Sequence, residues 1–229
     1  MRPKLLNILE PWDWLIVLDA CRYDFFVKNW NLGHTEPRLS PDSCTLGFLN
    51  HLPRIPDAVV VTSHPFVFNY RHKFGSVIDA GWDDKLGTCP PWLVTETLMR
   101  RWDVVIRYRR KILWFLQPHH PFIGETKLNV TIFDDKRWGN LTPMQRQVEM
   151  YRRAYREGIL WKAYEDNLRL VLREVRRLIN HLSGVVVITA DHGDGLGKPL
   201  RPEDKPVFAH PCGREEWEVR LVPWCVIAR

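Results

Sequence analysis

Two stretches of the chain carry an apolar run straight into acids. "LIVLDACRYDFF" (Leu15 to Phe26) climbs to Leu18 and then presents Asp19, and "VVVITADHGDGLG" (Val185 to Gly197) climbs to Thr189 and presents Asp191 and His192. A carboxylate at the end of a buried strand is costly unless something offsets its charge. Two carboxylates and an imidazole brought together suit a divalent metal with oxygen and nitrogen ligands, zinc or manganese, and a single site is expected. A third stretch, "SPDSCTLGFLNHL" (Ser40 to Leu52), places hydroxyls at the start of a helical segment. A hydroxyl held beside such a cation loses its proton more easily and becomes a nucleophile. The hydroxyls of this stretch, Ser43 and Thr45 among them, are the candidates, and Asp42 or Ser43 would cap the helix.

These side chains need elements that deliver them to one place. Five short runs rich in Val and Ile read as strands: Trp14 to Leu18, Ala58 to Thr62, Ile112 to Leu116, Val185 to Thr189 and Val222 to Ile227. Their continuous apolar character suits a sheet covered on both faces. Between them lie helical patterns at Arg22 to Trp30, Ser43 to Leu52, Pro91 to Trp102 and about Gly158 to Leu182, with another opening at Thr142-Pro143. In the long one, Leu160, Tyr164, Leu168, Leu172, Val175 and Ile179 form one stripe. Alternating strand and helix predict one α/β domain over residues 1–229, a doubly wound, mostly parallel sheet with helices on both faces. Such sheets bind ligands beyond the carboxyl ends of their strands. Asp19, the Gln117 to His120 segment, and Asp191 with His192 each follow a strand there, so one rim can gather all three.

Four motifs, in order, resemble the alkaline phosphatase superfamily. "VLDACRYD" looks like the D-x-x-R-x-D segment that opens sulfatases and their relatives, and "FLQPHHPFIG" is similar to their D-P-H-x-P-[FY] segment. "ITADHGDGLG" resembles DHG-E-x-x-G, and "FAHPCGREEWEVRLVPWCVI" the late histidine with its Val-Pro strand. The resemblance runs from about Trp14 to Ile227. It implies an alkaline-phosphatase-like fold with Asp19, Asp191 and His192 at the metal-binding positions and Thr45 at the nucleophile. "TLGFLNH" looks like the threonine-led segment of the phosphodiesterase branch. His119 matches a histidine that contacts the transferred group or leaving oxygen, and His210 a late metal or substrate ligand. Arg22, beside Asp24 in the opening motif, and His120 are expected at the substrate. The C-x-P-x-R pattern that sulfatases mature is broken after both Cys21 and Cys44, and no D-x-x-x-H pair offers a second zinc site. One metal, as in the lipoteichoic-acid-synthase-like branch, is therefore expected. The implied activity is a metal-dependent hydrolase or transferase of a phosphate mono- or diester through Thr45. The alternatives are a sulfate-ester hydrolase without formylglycine, and an inactive module that binds an anionic glycan or lipid head group.

Composition sets the remaining bounds. Of 229 residues, 45% are hydrophobic and 26% charged, which suits a globular domain able to bury its own core. The net charge of +6 and pI near 9.2 come mostly from "MRRWDVVIRYRRK" and the Arg146 to Arg177 segment, where acids are interspersed. That pattern reads as solvated helix faces which attract an anionic ester, small molecule, glycan or lipid head group, and not as a nucleic-acid site. Asp83 and Asp84 read as a capped turn. Five cysteines without regular spacing predict reduced thiols and a cytoplasmic setting. No apolar run reaches the roughly 20 residues needed to span a bilayer.

Overall fold

The computed structural model describes residues 3–228 apart from 129, 131, 133 and 134, with 135 and 136 described in their backbone only. In chain order the elements are β1 (Lys4–Leu5), β2 (Trp14–Leu18), α1 (Tyr23–Asn29), β3 (His34–Leu39), α2 (Thr45–His51), β4 (Ile55–Thr62), α3 (Pro65–Asn69), a 3-10 turn, β5 (Phe74–Asp79), α4 (Pro91–Arg100), α5 (Trp102–Val105) and β6 (Arg110–Phe115). There follow α6 (Asp135–Trp138), α7 (Pro143–Arg156), α8 (Leu160–Ile179), β7 (Val185–Thr189), β8 (Gly195–Leu196), β9 (Phe208–Ala209), α9 (Trp217–Arg220) and β10 (Leu221–Ala228).

Eight strands form one sheet in the order β1-β3-β10-β7-β2-β6-β4-β5. β2 lies at its centre, parallel to β6 on one side and to β7 on the other. Its five residues are all buried because both faces are covered. Trp14, Ile16 and Leu18 face the core beneath α1, α4, α7 and α8, whereas Leu15 and Val17 face a second core with Phe48 and Leu49 of α2 and Val67 of α3. The predicted α8 stripe, from Leu160 to Ile179, is buried throughout. α7 starts as its sequence predicts: Thr142 caps it, Pro143 opens it, and Gln145 closes a reciprocal capping box.

The sheet is mixed at one edge. β10 runs antiparallel to β3 and β7, so Val222 to Ile227 forms a strand whose direction the sequence pattern did not reveal. One cysteine expectation is corrected: Cys44 and Cys212 form a disulfide across 168 residues, and only Cys21, Cys89 and Cys225 are free, all buried. A bonded pair of this kind does not fit the reducing cytoplasmic setting predicted from the cysteine spacing. Among the described residues no helix is long and apolar enough to cross a membrane.

Candidate active site

The carboxyl ends of β2, β7, β6 and β4 meet α2 at one rim. Asp19 leaves β2 and stays tied to β6, its N–H donating to the Phe115 carbonyl at 3.0 Å. Ala20 then takes a positive φ of 60°, costly for a residue with a Cβ. The turn is held from both sides. The Ala20 N–H donates to Asp191 Oδ1 at 3.2 Å, and Tyr164 Oη donates to the Ala20 carbonyl at 2.7 Å. Asp191 Oδ1 also takes the His192 N–H at 3.0 Å, and the Ser40 hydroxyl donates to the Asp191 carbonyl. Thr45 opens α2, one residue after the cap Cys44.

These constraints leave four donor atoms facing one another. Thr45 Oγ1 lies 2.7 Å from Asp191 Oδ2 and 3.1 Å from His192 Nε2. His192 Nε2 is 3.5 Å from Asp19 Oδ1 and 3.5 Å from Asp191 Oδ2. His192 Nδ1 lies 2.7 Å from the Gly193 carbonyl, which can only accept, so Nδ1 carries a proton and, in the neutral ring that a metal would bind, Nε2 holds the lone pair. Asp19, Asp191 and His192 offer ligand atoms all within 4.8 Å of one another, and all three residues are buried. Asp19 Oδ1 has no hydrogen-bond partner although it is buried. A bare carboxylate oxygen beside an imidazole nitrogen and a second carboxylate fits a divalent cation.

No family model matches the chain, and no curated protein matches it in sequence. Its backbone is similar to solved structures. The soluble domain of lipooligosaccharide phosphoethanolamine transferase A from Neisseria meningitidis matches with a TM-score of 0.57 at 12% identity, over 93% of this chain and 75% of that one. The C-terminal periplasmic domain of phosphoethanolamine transferase EptC from Campylobacter jejuni matches at 0.56 and 12%, over 99% and 79%. The lipoteichoic acid synthase LtaP from Listeria monocytogenes matches at 0.53 and 11%, over 94% and 64%. These likenesses show the fold, an alkaline-phosphatase-like α/β arrangement with a mostly parallel eight-stranded sheet flanked by helices. Against the integral membrane form of the Neisseria protein, this chain spans 47% of the length.

Within this alkaline-phosphatase-like frame, the remaining predicted residues divide. His119 and His210 join the donor cluster: the His210 ring lies 4.5 Å from that of His192 and 4.8 Å from that of His119. His120 turns toward Tyr151 and lines a separate cavity of about 310 Å³ with Lys85, Phe122 and Met150. Arg22, expected at the substrate, is only 1% exposed. Its guanidinium is committed to the Asp24 carboxylate at 2.8 and 2.9 Å and to the Asp194 carbonyl, so it braces two loops under the rim. Ser43 Oγ donates to the Pro211 carbonyl at 2.6 Å and accepts the Arg214 N–H at 2.9 Å, which engages it on the His210 loop, while Thr45 Oγ1 faces the cluster. Asp83 Oδ1 caps the Lys85 and Leu86 N–H groups, as a polar turn does.

The charges of the rim are strongly coupled. Burial pushes the Asp19 carboxyl up, but His119, His64 and His192 outweigh it and hold the group below the usual carboxylate range. Burial raises Asp191, and the neighbouring Asp19 charge adds to that. Burial pulls His192 down, yet Asp191 and Asp19 more than reverse it. Burial dominates at His119, His120 and His210 and lowers all three. Asp194 is pushed up to about 7, chiefly by burial.

Three members of the neighbourhood escaped the sequence reading. His64 reaches Asp19 from the end of β4. Gln147 Nε2 lies 3.3 Å from His210 Nε2, and Tyr151 donates to Asp194 Oδ2 at 2.8 Å. His64 had a signal: "TSHP" follows the predicted strand Ala58 to Thr62, as Asp19 follows its own. Gln147 and Tyr151 sit in a helix of polar periodicity and carry no local mark.

Proposed function

We propose that the chain is a metal-dependent phosphoryl transferase or phosphoesterase with Thr45 as nucleophile. The observation that carries this reading is the position of Thr45 Oγ1, within 2.7 Å of Asp191 Oδ2 and 3.1 Å of His192 Nε2, beside the unpartnered Asp19 Oδ1. Asp19, Asp191 and His192, with Thr45, would hold a zinc or manganese ion. Bound there, the ion would lower the hydroxyl pKa and offset the negative charge that develops on the phosphoryl oxygens.

The chain's own residues supply the rest. Thr45 donates to Asp191 Oδ2, the path by which its proton leaves as Oγ1 attacks phosphorus and the ester P–O bond breaks. His119 and His210 line the side opened to the phosphoryl group. The departing oxygen takes its proton from solvent; His119 Nδ1 is held to the His120 carbonyl, so its Nε2 is the atom available to accept a proton from the incoming oxygen. Burial keeps that ring neutral near pH 7, which suits accepting a proton from water or an acceptor alcohol as the phosphothreonine is released. The matched folds include two phosphoethanolamine transferases and a lipoteichoic acid synthase, which favours a phosphodiester head group as substrate. Cys44 is bonded to Cys212 and so is not free for conversion to formylglycine, which disfavours a formylglycine sulfatase and leaves the formylglycine-free alternative to the choice of ester tested. The same bond favours an oxidising compartment.

The test is cleavage of bis(p-nitrophenyl) phosphate by purified protein supplied with zinc or manganese. Thr45→Ala is expected to lose at least about 10³-fold in turnover, the scale of losing a nucleophile, while Thr45→Ser retains a measurable rate. Mass spectrometry of the quenched parent should locate a phosphoryl group on Thr45. Undiminished turnover in Thr45→Ala would remove the mechanism.

A further inference from the structure

We infer that His64 is a positioning residue that divides the two oxygens of Asp19, keeping Oδ2 for itself and leaving Oδ1 alone toward the metal position. The inference rests on the metal-dependent reading above.

His64 leaves the carboxyl end of β4, two strands from the end of β2. Its backbone N–H donates to Thr62 Oγ1 at 3.0 Å, and Thr62 Oγ1 donates to the Trp114 carbonyl at 2.9 Å, so the turn is pinned to β6. Pro65 opens α3 immediately after it. The Phe66 N–H then donates to His64 Nδ1 at 3.2 Å. A ring nitrogen that accepts a hydrogen bond carries no proton, so the proton sits on Nε2. That atom is 3.2 Å from Asp19 Oδ2, and it donates there. The backbone of one turn thereby fixes the tautomer of the ring, and the ring fixes the carboxylate.

The partition of Asp19 follows. Oδ2 has a donor, whereas Oδ1 is buried without one and lies 3.5 Å from His192 Nε2. His64 and Asp19 are both more than nine-tenths buried, so little water competes for either oxygen. With the donor removed, the carboxylate is free to turn about its terminal torsion, which has no strong staggered preference. Outer hydrogen-bond partners of metal-binding side chains typically contribute 10–100-fold in affinity, about 1.4–2.7 kcal/mol.

The experiment measures zinc uptake, not turnover. Metal-stripped full-length protein is titrated with Zn²⁺ against a chelating indicator, with circular dichroism as a folding control. His64→Gln keeps an N–H donor near the place of Nε2. His64→Leu has none, and His64→Asn is too short to reach Asp19. The expected result is affinity weakened about 10–100-fold in the Leu and Asn variants and held within about threefold of the parent in the Gln variant. Equal affinities of parent and His64→Leu overturn the inference, as does equal weakening by Gln and Asn, which marks a packing role. If His64→Leu fails to fold, the Gln and Asn pair decides alone. A parent that binds zinc no better than Asp191→Asn removes the metal-dependent reading and this inference together; a parent that binds zinc while the His64 variants match it removes only the latter.

Discussion

The central strands carry acids at both ends, in opposite conditions. At the amino ends, Asp13 Oδ2 accepts the Val185 N–H at 2.7 Å and its carbonyl accepts the Lys111 N–H at 3.1 Å, linking β2 to β7 and β6. Asp57, at the start of β4, is gripped by two nitrogens of Arg110, and that guanidinium lies over Trp12 at 5.4 Å. None of these groups is left buried without a partner. At the carboxyl ends, Asp19 Oδ1, Gln117 Oε1, His120 Nδ1, Asp194 Oδ1 and His210 Nδ1 all are. A saturated acid holds strands in place and has no capacity left for a ligand. An unsaturated buried acid is costly by itself, typically about 1–3 kcal/mol or more, and is retained where something binds. The same sheet therefore separates its structural acids from its chemical ones by end.

The largest effect expected from this contrast comes from paired neutralisations, Asp191→Asn at one end and Asp57→Asn at the other. Asp191→Asn should reduce phosphodiester turnover at least about 10³-fold, since it removes both a ligand and the acceptor for Thr45. In metal-free protein it should leave stability level or raise it, because it removes one of two coupled buried carboxylates. Asp57→Asn should leave turnover within about twofold and cost about 0–1 kcal/mol, as expected of a partly exposed ion pair. Turnover assays and urea melts on both variants check this. Similar turnover losses at the two ends would erase the distinction.

How far could this division be read from residue types? β2 and β7 were legible end to end, because strands covered on both faces leave an uninterrupted apolar run and the acid that stops it is conspicuous. β3 was not: "HTEPRL" has one buried residue of six, and its pairing with β10 carries it in place of its own pattern. β5, "FGSVID", is half-exposed and holds a glycine. Asp19, Asp191, His192 and Thr45 stood out as the first polar groups after apolar runs or at a helix start. The roles of Arg22 and Ser43 could not be read, because a side chain's type does not say whether a neighbouring loop has already taken its hydrogen bonds. The Cys44–Cys212 bond was also hidden, since its 168-residue separation is set by the route of the whole chain.

That bond offers a second way to sharpen the comparison. Cys44 precedes Thr45, and Cys212 lies two residues beyond His210, so the disulfide ties the nucleophile's helix to the loop of the late histidine. Cys212 is exposed, so a dithiol reductant can reach it. Cys212→Ser, or reduction of the parent, should cost about 2–5 kcal/mol of stability, the range for a disulfide closing a long loop. Turnover should fall while zinc affinity holds, because Asp19, Asp191 and His192 are anchored by the sheet and not by this bond. Urea melts, turnover and zinc titration on Cys212→Ser measure the three. Loss of zinc affinity in step with turnover would mean that the disulfide supports the whole rim and not only Thr45.

A smaller effect concerns Asp194, whose burial at the carboxyl rim raises it to about 7. Its Oδ1 has no partner, whereas Oδ2 accepts only from Tyr151. A carboxyl raised on folding contributes stability that is fully present below its unfolded value near 4 and is lost as pH rises through about 7. His119, His120 and His210 act in the opposite sense. Lowered on folding, they contribute stability above their ordinary value near 6.5 that is lost as pH falls. The parent's profile sums both and would hide either. The difference between parent and Asp194→Asn isolates the carboxyl: in metal-free protein the variant should gain on the parent between about pH 4 and 7, by at most about 4 kcal/mol, and stay level above. Urea melts across that range measure the gap. A gap that does not widen with pH would mean that Asp194 is already ionised and served by a donor, which would place it with the saturated acids of the opposite end.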